Sequence, residues 1–99
     1  MSEFNAAVDR VILKLRNGWV RGTFALDENN ESITCVSPKA CKFCLSGAII
    51  SLRDAVMERK IRDALSAKGI NSLPFYNDSQ ETVEPIIQVL ESIKVKLCT

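Results

Sequence analysis

Cysteines have the most specific chemistry of any residues in this sequence, and there are four of them: Cys35, Cys41, Cys44 and Cys98. Four thiolates are enough to hold a tetrahedral zinc ion. Structural zinc sites normally combine two pairs of closely spaced ligands, whereas here only Cys41 and Cys44 form such a pair. Cysteine is also among the residue types most often buried in protein cores. Core packing without a cofactor is therefore the preferred interpretation, and a zinc site is the alternative.

A redox role is the other use that these thiols suggest. Lys39 and Lys42 flank Cys41 near a predicted helix start, a setting that favours thiolate chemistry. A thioredoxin-like site also needs a βαβ frame, which this sequence does not predict. Two cysteines three residues apart in a regular helix are poorly placed for a disulfide. A thiol-dependent function is therefore kept only as an alternative.

A second candidate site combines aromatic and polar side chains, namely Trp19, Arg21, Tyr76, Asn77 and Asp78. Loops carry binding residues more often than cores do, so these side chains are a binding hypothesis if their segments meet. The simpler interpretation is that the tryptophan anchors a hairpin on the core and that the aspartate stabilises a turn or a helix start. The binding hypothesis predicts that both aromatic residues are partly exposed and lie close to Asp78.

Nucleic-acid binding has one candidate element, the predicted helix 54–68 with the arginine just before it. Its basic residues are Arg53, Arg59, Lys60, Arg62 and Lys68, and Lys94 and Lys96 add charge on the last helix. Acidic residues are interleaved with them, a pattern typical of a solvated, ion-paired face. The formal net charge of +1 also lacks the basic excess of a dedicated nucleic-acid binder. A weak nucleic-acid binder that acts through helix 53–68 is thus kept as an alternative.

Catalysis has little support in the sequence. Histidine, the side chain that most often transfers protons near neutral pH, is absent. Glycine-rich phosphate-binding loops, a serine nucleophile motif and paired carboxylates are absent as well. We therefore predict no catalytic residues and favour a protein that is not an enzyme.

The elements that must position these residues are predicted from hydrophobic periodicity and from capping residues. One α+β, mainly α domain is expected over residues 1–99, because 99 residues form one hydrophobic core. Its predicted elements are helices 3–17, 38–52, 54–68 and 83–97, a β-hairpin of 20–26 with 32–36, and a loop at 70–81. The predicted N-caps are Ser2 for the first helix and Thr82 for the last.

The helix 38–52 is expected to be the buried centre of the fold. Ser37-Pro38 is a helix-start pair, and the segment that follows is apolar on nearly every side. Gly47 costs helix propensity, which suggests that another backbone approaches there. The loop 70–81 is expected to contribute an apolar plug of Leu73, Phe75 and Tyr76.

Location and assembly are the next predictions. The charged N-terminal residues do not resemble a signal peptide, and the apolar runs are too short to cross a bilayer. A cytoplasmic protein with reduced thiols and no membrane partner is therefore expected. Val89 and Val95 lie off the main apolar stripe of the last helix, so a homodimer is possible through this helix.

Three short motifs resemble those of a known family. They are Gly18-Trp19 followed by Gly22, Ala40 upstream of Cys44-Leu45 and Gly47-Ala48, and Asn77-Asp78 before a threonine-started last helix. In this order they resemble a bacterial and phage domain-of-unknown-function family, over roughly residues 4–97. The resemblance implies a fold and no activity, and it does not extend to Cys35, Cys41 and Cys98. Together with the residues above, it predicts a non-catalytic intracellular binding or interaction module, phage- or prophage-encoded, that acts on a protein partner.

Overall fold

A mainly helical α+β fold is observed in a computed structural model that describes residues 3–95. The predicted fold class is confirmed. In chain order the elements are α1 (Glu3–Asn17), β1 (Ala25–Leu26), β2 (Lys42–Phe43), α2 (Leu45–Ile50), α3 (Ala55–Ala67), α4 (Leu73–Asp78) and α5 (Glu84–Ile93). The Ser2 cap, Lys96, Leu97 and Cys98 of the sequence predictions lie outside the described residues. Among the residues described, no helix is long and apolar enough to cross a membrane.

The core forms around the short central helix α2, which packs against α1, α3, α4 and β2. Leu45, Ala48 and Ile49 are completely buried. The three longer helices each turn one apolar stripe inward, as their periodicity predicts. The buried residues of these stripes are Ala7, Val8, Val11, Ile12 and Leu15 in α1, Met57, Ile61 and Leu65 in α3, and Ile86, Ile87, Leu90 and Ile93 in α5. The prediction of a buried helix at the centre is therefore correct for residues 45–50.

The start of this central helix was predicted seven residues too early, at residue 38 instead of Leu45. Ser37 closes only a local turn, in which its carbonyl accepts from the Ala40 N–H at 3.1 Å. The Cys41 N–H then donates to the Leu26 carbonyl at 2.9 Å, which draws the chain into a strand. Tertiary hydrogen bonding thus overrides a local helix-start signal.

The predicted hairpin of 20–26 with 32–36 is wrong in its partner. β1 pairs in an antiparallel register with β2, Ala25 opposite Phe43 and Leu26 opposite Lys42. Only a single bridge between Leu26 and Ser32 remains of the predicted pairing. The turn at Asp27 is as expected, because its side chain accepts from two nearby backbone N–H groups.

The predicted loop 70–81 contains a helix, α4. Ser72 caps it by accepting from the Phe75 N–H, and Pro74 lies in its first turn. The plug prediction is correct for Leu73, which is buried, and wrong for Phe75, which is 76% exposed. The helical period turns residues 73 and 77 inward and 74, 75 and 78 outward.

The ends of the last helix also differ from prediction. Val83, and not Thr82, is the N-cap, and no side chain caps this end, although Pro85 does fall in the first turn. The helix ends at Ile93, because Lys94 has an extended backbone and its neighbour Val95 is held by two hydrogen bonds to the Asn5 amide. Val95 is therefore exposed beyond the helix, whereas Val89 packs partly against the core.

Gly47 lies where two backbones touch, as its position in the sequence suggested. A Cβ atom there would collide with the carbonyl oxygen of Phe24. The same carbonyl accepts a hydrogen bond from the Cys44 N–H at 3.2 Å, so the two segments cannot separate without losing it. This glycine therefore sets how closely the segment before β1 approaches α2.

Replacing this glycine tests the close approach. We expect Gly47→Ala to lower the free energy of unfolding by about 2 kcal/mol, because the steric cost exceeds the gain of about 1 kcal/mol in helix propensity. Urea denaturation of this variant and of Lys60→Ala, at an exposed position of α3, measures the difference. A Gly47→Ala protein as stable as the wild type would contradict the predicted contact.

Candidate functional site

The side-chain amide of Asn77 is the centre of the polar cluster predicted around Trp19 and Asp78. It is completely buried. Its Oδ1 accepts from the Trp19 indole Nε1 at 2.7 Å and from the Leu45 N–H at 2.9 Å. Its Nδ2 donates to the Val20 carbonyl at 3.1 Å and to Asp78 Oδ1 at 3.0 Å. All four of its hydrogen-bonding positions are thus occupied, which uses the full capacity of an amide.

Local structure on both sides brings the tryptophan to this amide. The Phe43 N–H donates to the Gly18 carbonyl and the Val20 N–H donates to the Phe43 carbonyl, so the Trp19 segment lies beside β2. Gly18 permits the approach, because a Cβ there would lie 2.7 Å from the Cys41 carbonyl oxygen. The Trp19 ring is half-buried and packs against the core.

Asp78 is the exposed neighbour of the buried amide. Its Oδ1 accepts from the Gly22 N–H at 3.0 Å as well as from Asn77. The hydrogen bond from Asn77, then that from Gly22 and the charge of Arg21, lower the pKa of the Asp78 carboxyl below its ordinary value. The group is therefore a fixed carboxylate at neutral pH.

Arg21 completes the cluster from the other side. Its Nη1 donates to the Gln80 carbonyl at 2.9 Å, and its guanidinium lies 5.9 Å from the centre of the Trp19 ring. No Lys or Arg nitrogen in the described chain lies within 4.0 Å of the Asp78 carboxylate. Arg21 thus contributes to the field at Asp78 without forming an ion pair with it.

The structure brings together four of the five residues chosen from the sequence, and Tyr76 stands apart. Its hydroxyl lies 3.5 Å from the Pro85 carbonyl, and the ring lines a groove with Ile70 and Phe75. Partial burial raises the pKa of this phenol. Trp19 and Tyr76 are both partly exposed, as the binding hypothesis required, but their polar groups serve different contacts.

A cleft of about 290 Å³ lies next to the cluster, between α4 and the segment before β1. Its lining residues are Gly22, Thr23, Phe24, Cys44, Pro74 and Asp78. Phe24 and Pro74 are not among the site residues predicted from the sequence. Phe24 is 49% exposed, and Pro74 is exposed on the outer face of α4. The available signal was the capped start at Ser72, which defines the helix and hence its outward face.

The three described cysteines occupy different environments. Cys44 is buried at the N-cap of α2, where its Sγ accepts from the Gly47 N–H at 3.3 Å. Burial raises the pKa of this thiol. Cys41 is exposed and Cys35 half-buried, and all three are free. Among residues 3–95, no three Cys, Asp or Glu side chains are grouped to hold a metal ion.

On the helix predicted as a nucleic-acid-binding element, at least one arginine is already paired within the protein. Arg62 Nε pairs with Glu58 Oε2 at 3.2 Å, and its Nη2 lies 3.4 Å from the buried Ser46 hydroxyl. On the last helix, Lys94 pairs with Asp9 at 2.7 Å and with Glu91 at 3.5 Å. These ion pairs follow the mixed-sign pattern read from the sequence.

Charging the central amide tests its structural role. Asn77→Asp removes both donated hydrogen bonds and buries a carboxylate beside Asp78, so we expect a loss of about 3 kcal/mol or more in the free energy of unfolding at pH 7. Burial raises the pKa of the introduced carboxyl, so stability should recover in part as the pH falls through that pKa. Denaturation as a function of pH measures this, with Asn71→Asp in an exposed loop as the control. Equal stabilities of the two variants would contradict the assignment.

Thiol labelling tests the environments of the cysteines. Under native conditions Cys41 should react rapidly with iodoacetamide and Cys44 at least about tenfold more slowly, because Cys44 is buried and less of it is thiolate. Peptide mapping by mass spectrometry follows each site, and the denatured protein gives the unprotected rates. Fast labelling of Cys44 in the folded protein would contradict its burial and would support a redox role for Cys41 and Cys44.

Comparisons with known proteins find no matching family model, curated protein or solved structure. The resemblance to a bacterial and phage family therefore stays a prediction from three short motifs.

Proposed function

We propose that this protein is a small non-catalytic binding module that contacts a protein partner through one surface beside α4. We define the α4 surface as Phe24, Pro74, Phe75 and Asp78. Phe24, Pro74 and Asp78 line the cleft on one side of α4, and Phe75 lines the groove beside Tyr76. The observation that carries the proposal is that two large aromatic rings are exposed here, Phe24 by 49% and Phe75 by 76%. Exposed aromatic residues near fixed polar groups are typical of protein-binding sites.

The α4 surface is built on well-anchored backbone, which supports a binding role. Phe24 is tied to α2 by its carbonyl, and Gly47 packs directly beneath that carbonyl. The other side of the surface is the six-residue helix α4, which Ser72 caps and Asn77 anchors. A surface that is ordered before binding loses less conformational entropy when a partner docks.

The ionisable groups at this surface favour binding over catalysis. The pKa of Asp78 is lowered and that of Cys44 is raised, so both move away from neutral pH. A general acid or base works best with a pKa near the pH at which it operates. Neither group is therefore tuned for proton transfer.

The proposal extends to the setting of the protein. Free thiols at Cys35, Cys41 and Cys44 suit a reducing cytoplasm, which is where we place the interaction. The motif resemblance supports a phage or prophage gene, and the neighbouring genes in the source genome are the direct test of that origin.

Two serine substitutions test the α4 surface. We expect Phe24→Ser and Phe75→Ser each to weaken capture of the partner from source-cell lysate by about tenfold or more, because buried aromatic anchors dominate interface energies. Leu13→Ser is the matched control, since Leu13 is 59% exposed on α1 and lies outside this surface. Quantitative mass spectrometry of the captured proteins gives the ratios.

Two outcomes would redirect this proposal. Equal capture by the wild type, both phenylalanine variants and the Leu13→Ser control would contradict a role for the α4 surface. A concentration-dependent dimer that Phe75→Ser dissociates would instead identify the partner as a second copy of this chain. Thermal unfolding of each variant verifies that a loss of capture is not a loss of folding.

A further inference from the structure

We propose that the cleft beside α4 receives a lysine or arginine side chain from the partner polypeptide, with Asp78 as its counter-ion. This inference rests on the proposed function and adds the chemistry of the residue that is recognised. The cleft is the one defined above by Gly22, Thr23, Phe24, Cys44, Pro74 and Asp78.

The charge of the cleft favours a cation. None of its six described lining residues is basic, and Asp78 is the only carboxylate among them. The pKa of Cys44 is raised, so this thiol is neutral at pH 7 and adds no second charge. The cleft therefore carries one negative charge, which attracts a cationic side chain and repels an anionic one.

The carboxylate of Asp78 is also held ready for a partner. Oδ1 accepts both hydrogen bonds that residues 3–95 make to this group, from the Gly22 N–H and from Asn77 Nδ2. Oδ2 receives no hydrogen bond or ion pair from the described chain. Arg21, the nearby cation, is engaged with the Gln80 carbonyl and the Trp19 ring. The two hydrogen bonds to Oδ1 thus orient the carboxylate, and Oδ2 has no protein donor within the described part of the chain.

The walls of the cleft suit the rest of such a side chain. Phe24 and Pro74 provide apolar surface for the methylene groups of lysine or arginine, whose charged head remains near water. The exposed Phe24 ring also offers a π face to a cation. The volume of the cleft, about 290 Å³, is at the lower limit of small-molecule pockets, which suits one long side chain better than a cofactor.

Capped amino acids test this inference directly. The probes are Nα-acetyl-lysine methylamide and Nα-acetyl-norleucine methylamide, which have similar stems but differ in charge. Titration of isotope-labelled protein to about 100 mM probe is followed by NMR, because weak single-residue ligands bind in this range. We expect the lysine probe to shift the Gly22 and Thr23 amide signals and to bind about three- to fivefold more tightly than the norleucine probe.

Asp78→Asn is the decisive variant. It removes the charge and retains an oxygen that can accept from Gly22 and Asn77, so the cleft should keep its shape. We expect it to abolish the preference for lysine, whereas Asp63→Asn, at an exposed acid of α3 outside the cleft, should leave the preference unchanged. Raising the salt concentration should weaken the binding of the lysine probe more than the binding of the norleucine probe.

The outcomes separate this inference from the proposed function. Equal binding of both probes, or a lysine preference that survives Asp78→Asn, would overturn the cation site. Absence of any shift at Gly22 and Thr23 would overturn it as well. In each of these cases Phe24→Ser and Phe75→Ser still decide whether the α4 surface binds a partner. If those variants capture the partner normally while lysine binds at Asp78, the proposed function fails and the cation site stands.

Discussion

The buried amide of Asn77 is the interaction on which the organisation of this end of the molecule depends. It joins three segments that are distant in sequence: the Trp19–Val20 segment, the start of α2 and the helix α4. Each of these segments is short, and none has the apolar stripe of a long helix with which to hold itself in place. Since an unpaired buried polar group costs about 1–3 kcal/mol, loss of any one of the three hydrogen bonds that link these segments weakens the whole junction. An aspartate lacks the donors, and an aliphatic residue lacks both donors and acceptors, so only an amide side chain of this length fits.

The position of the site follows from that constraint through helical geometry. Fixing Asn77 inward turns the next residue, Asp78, and the earlier Pro74 and Phe75 toward solvent. The same amide orients the Asp78 carboxylate through its Nδ2, and the start of α2 places the Cys44 thiol in the wall of the cleft. The candidate binding surface is thus the outer side of the contact that fixes α4. On α4 itself, Phe75 is exposed because the inner positions of the helix are used by Leu73 and Asn77.

Sequence patterns predicted the parts of the fold that depend on long periodic segments. The stripes of α1, α3 and α5 extend over several turns, and the buried centre was evident from Leu45 to Ile49. The errors arose where a local signal competes with a distant partner. Ser37-Pro38 is a typical helix start. The Leu26 carbonyl nevertheless accepts a hydrogen bond from the Cys41 N–H, and residues 42–43 then form a strand. No local pattern reports that pairing, because it joins Leu26 to Lys42 and Ala25 to Phe43, which are 16 and 18 positions apart.

The site was partly predictable for a related reason. Residue type singled out Trp19, Asn77 and Asp78, but the sequence could not say that the amide is the buried member and the carboxylate the exposed one. That distinction comes from a rotation of about 100° between neighbours on a helix whose existence was missed. The distinction matters for any mutational study, because a change at Asn77 affects folding, whereas a change at an exposed neighbour affects binding. Loss of binding after a change at Asn77 reports the collapse of the framework, whereas the outward side chains of Phe24 and Phe75 can be altered with the framework intact. At Asp78 the framework is kept only by a substitution such as Asp78→Asn, which retains an oxygen that accepts from Gly22 and Asn77. Binding is therefore tested at the outward residues, with folding of each variant measured separately.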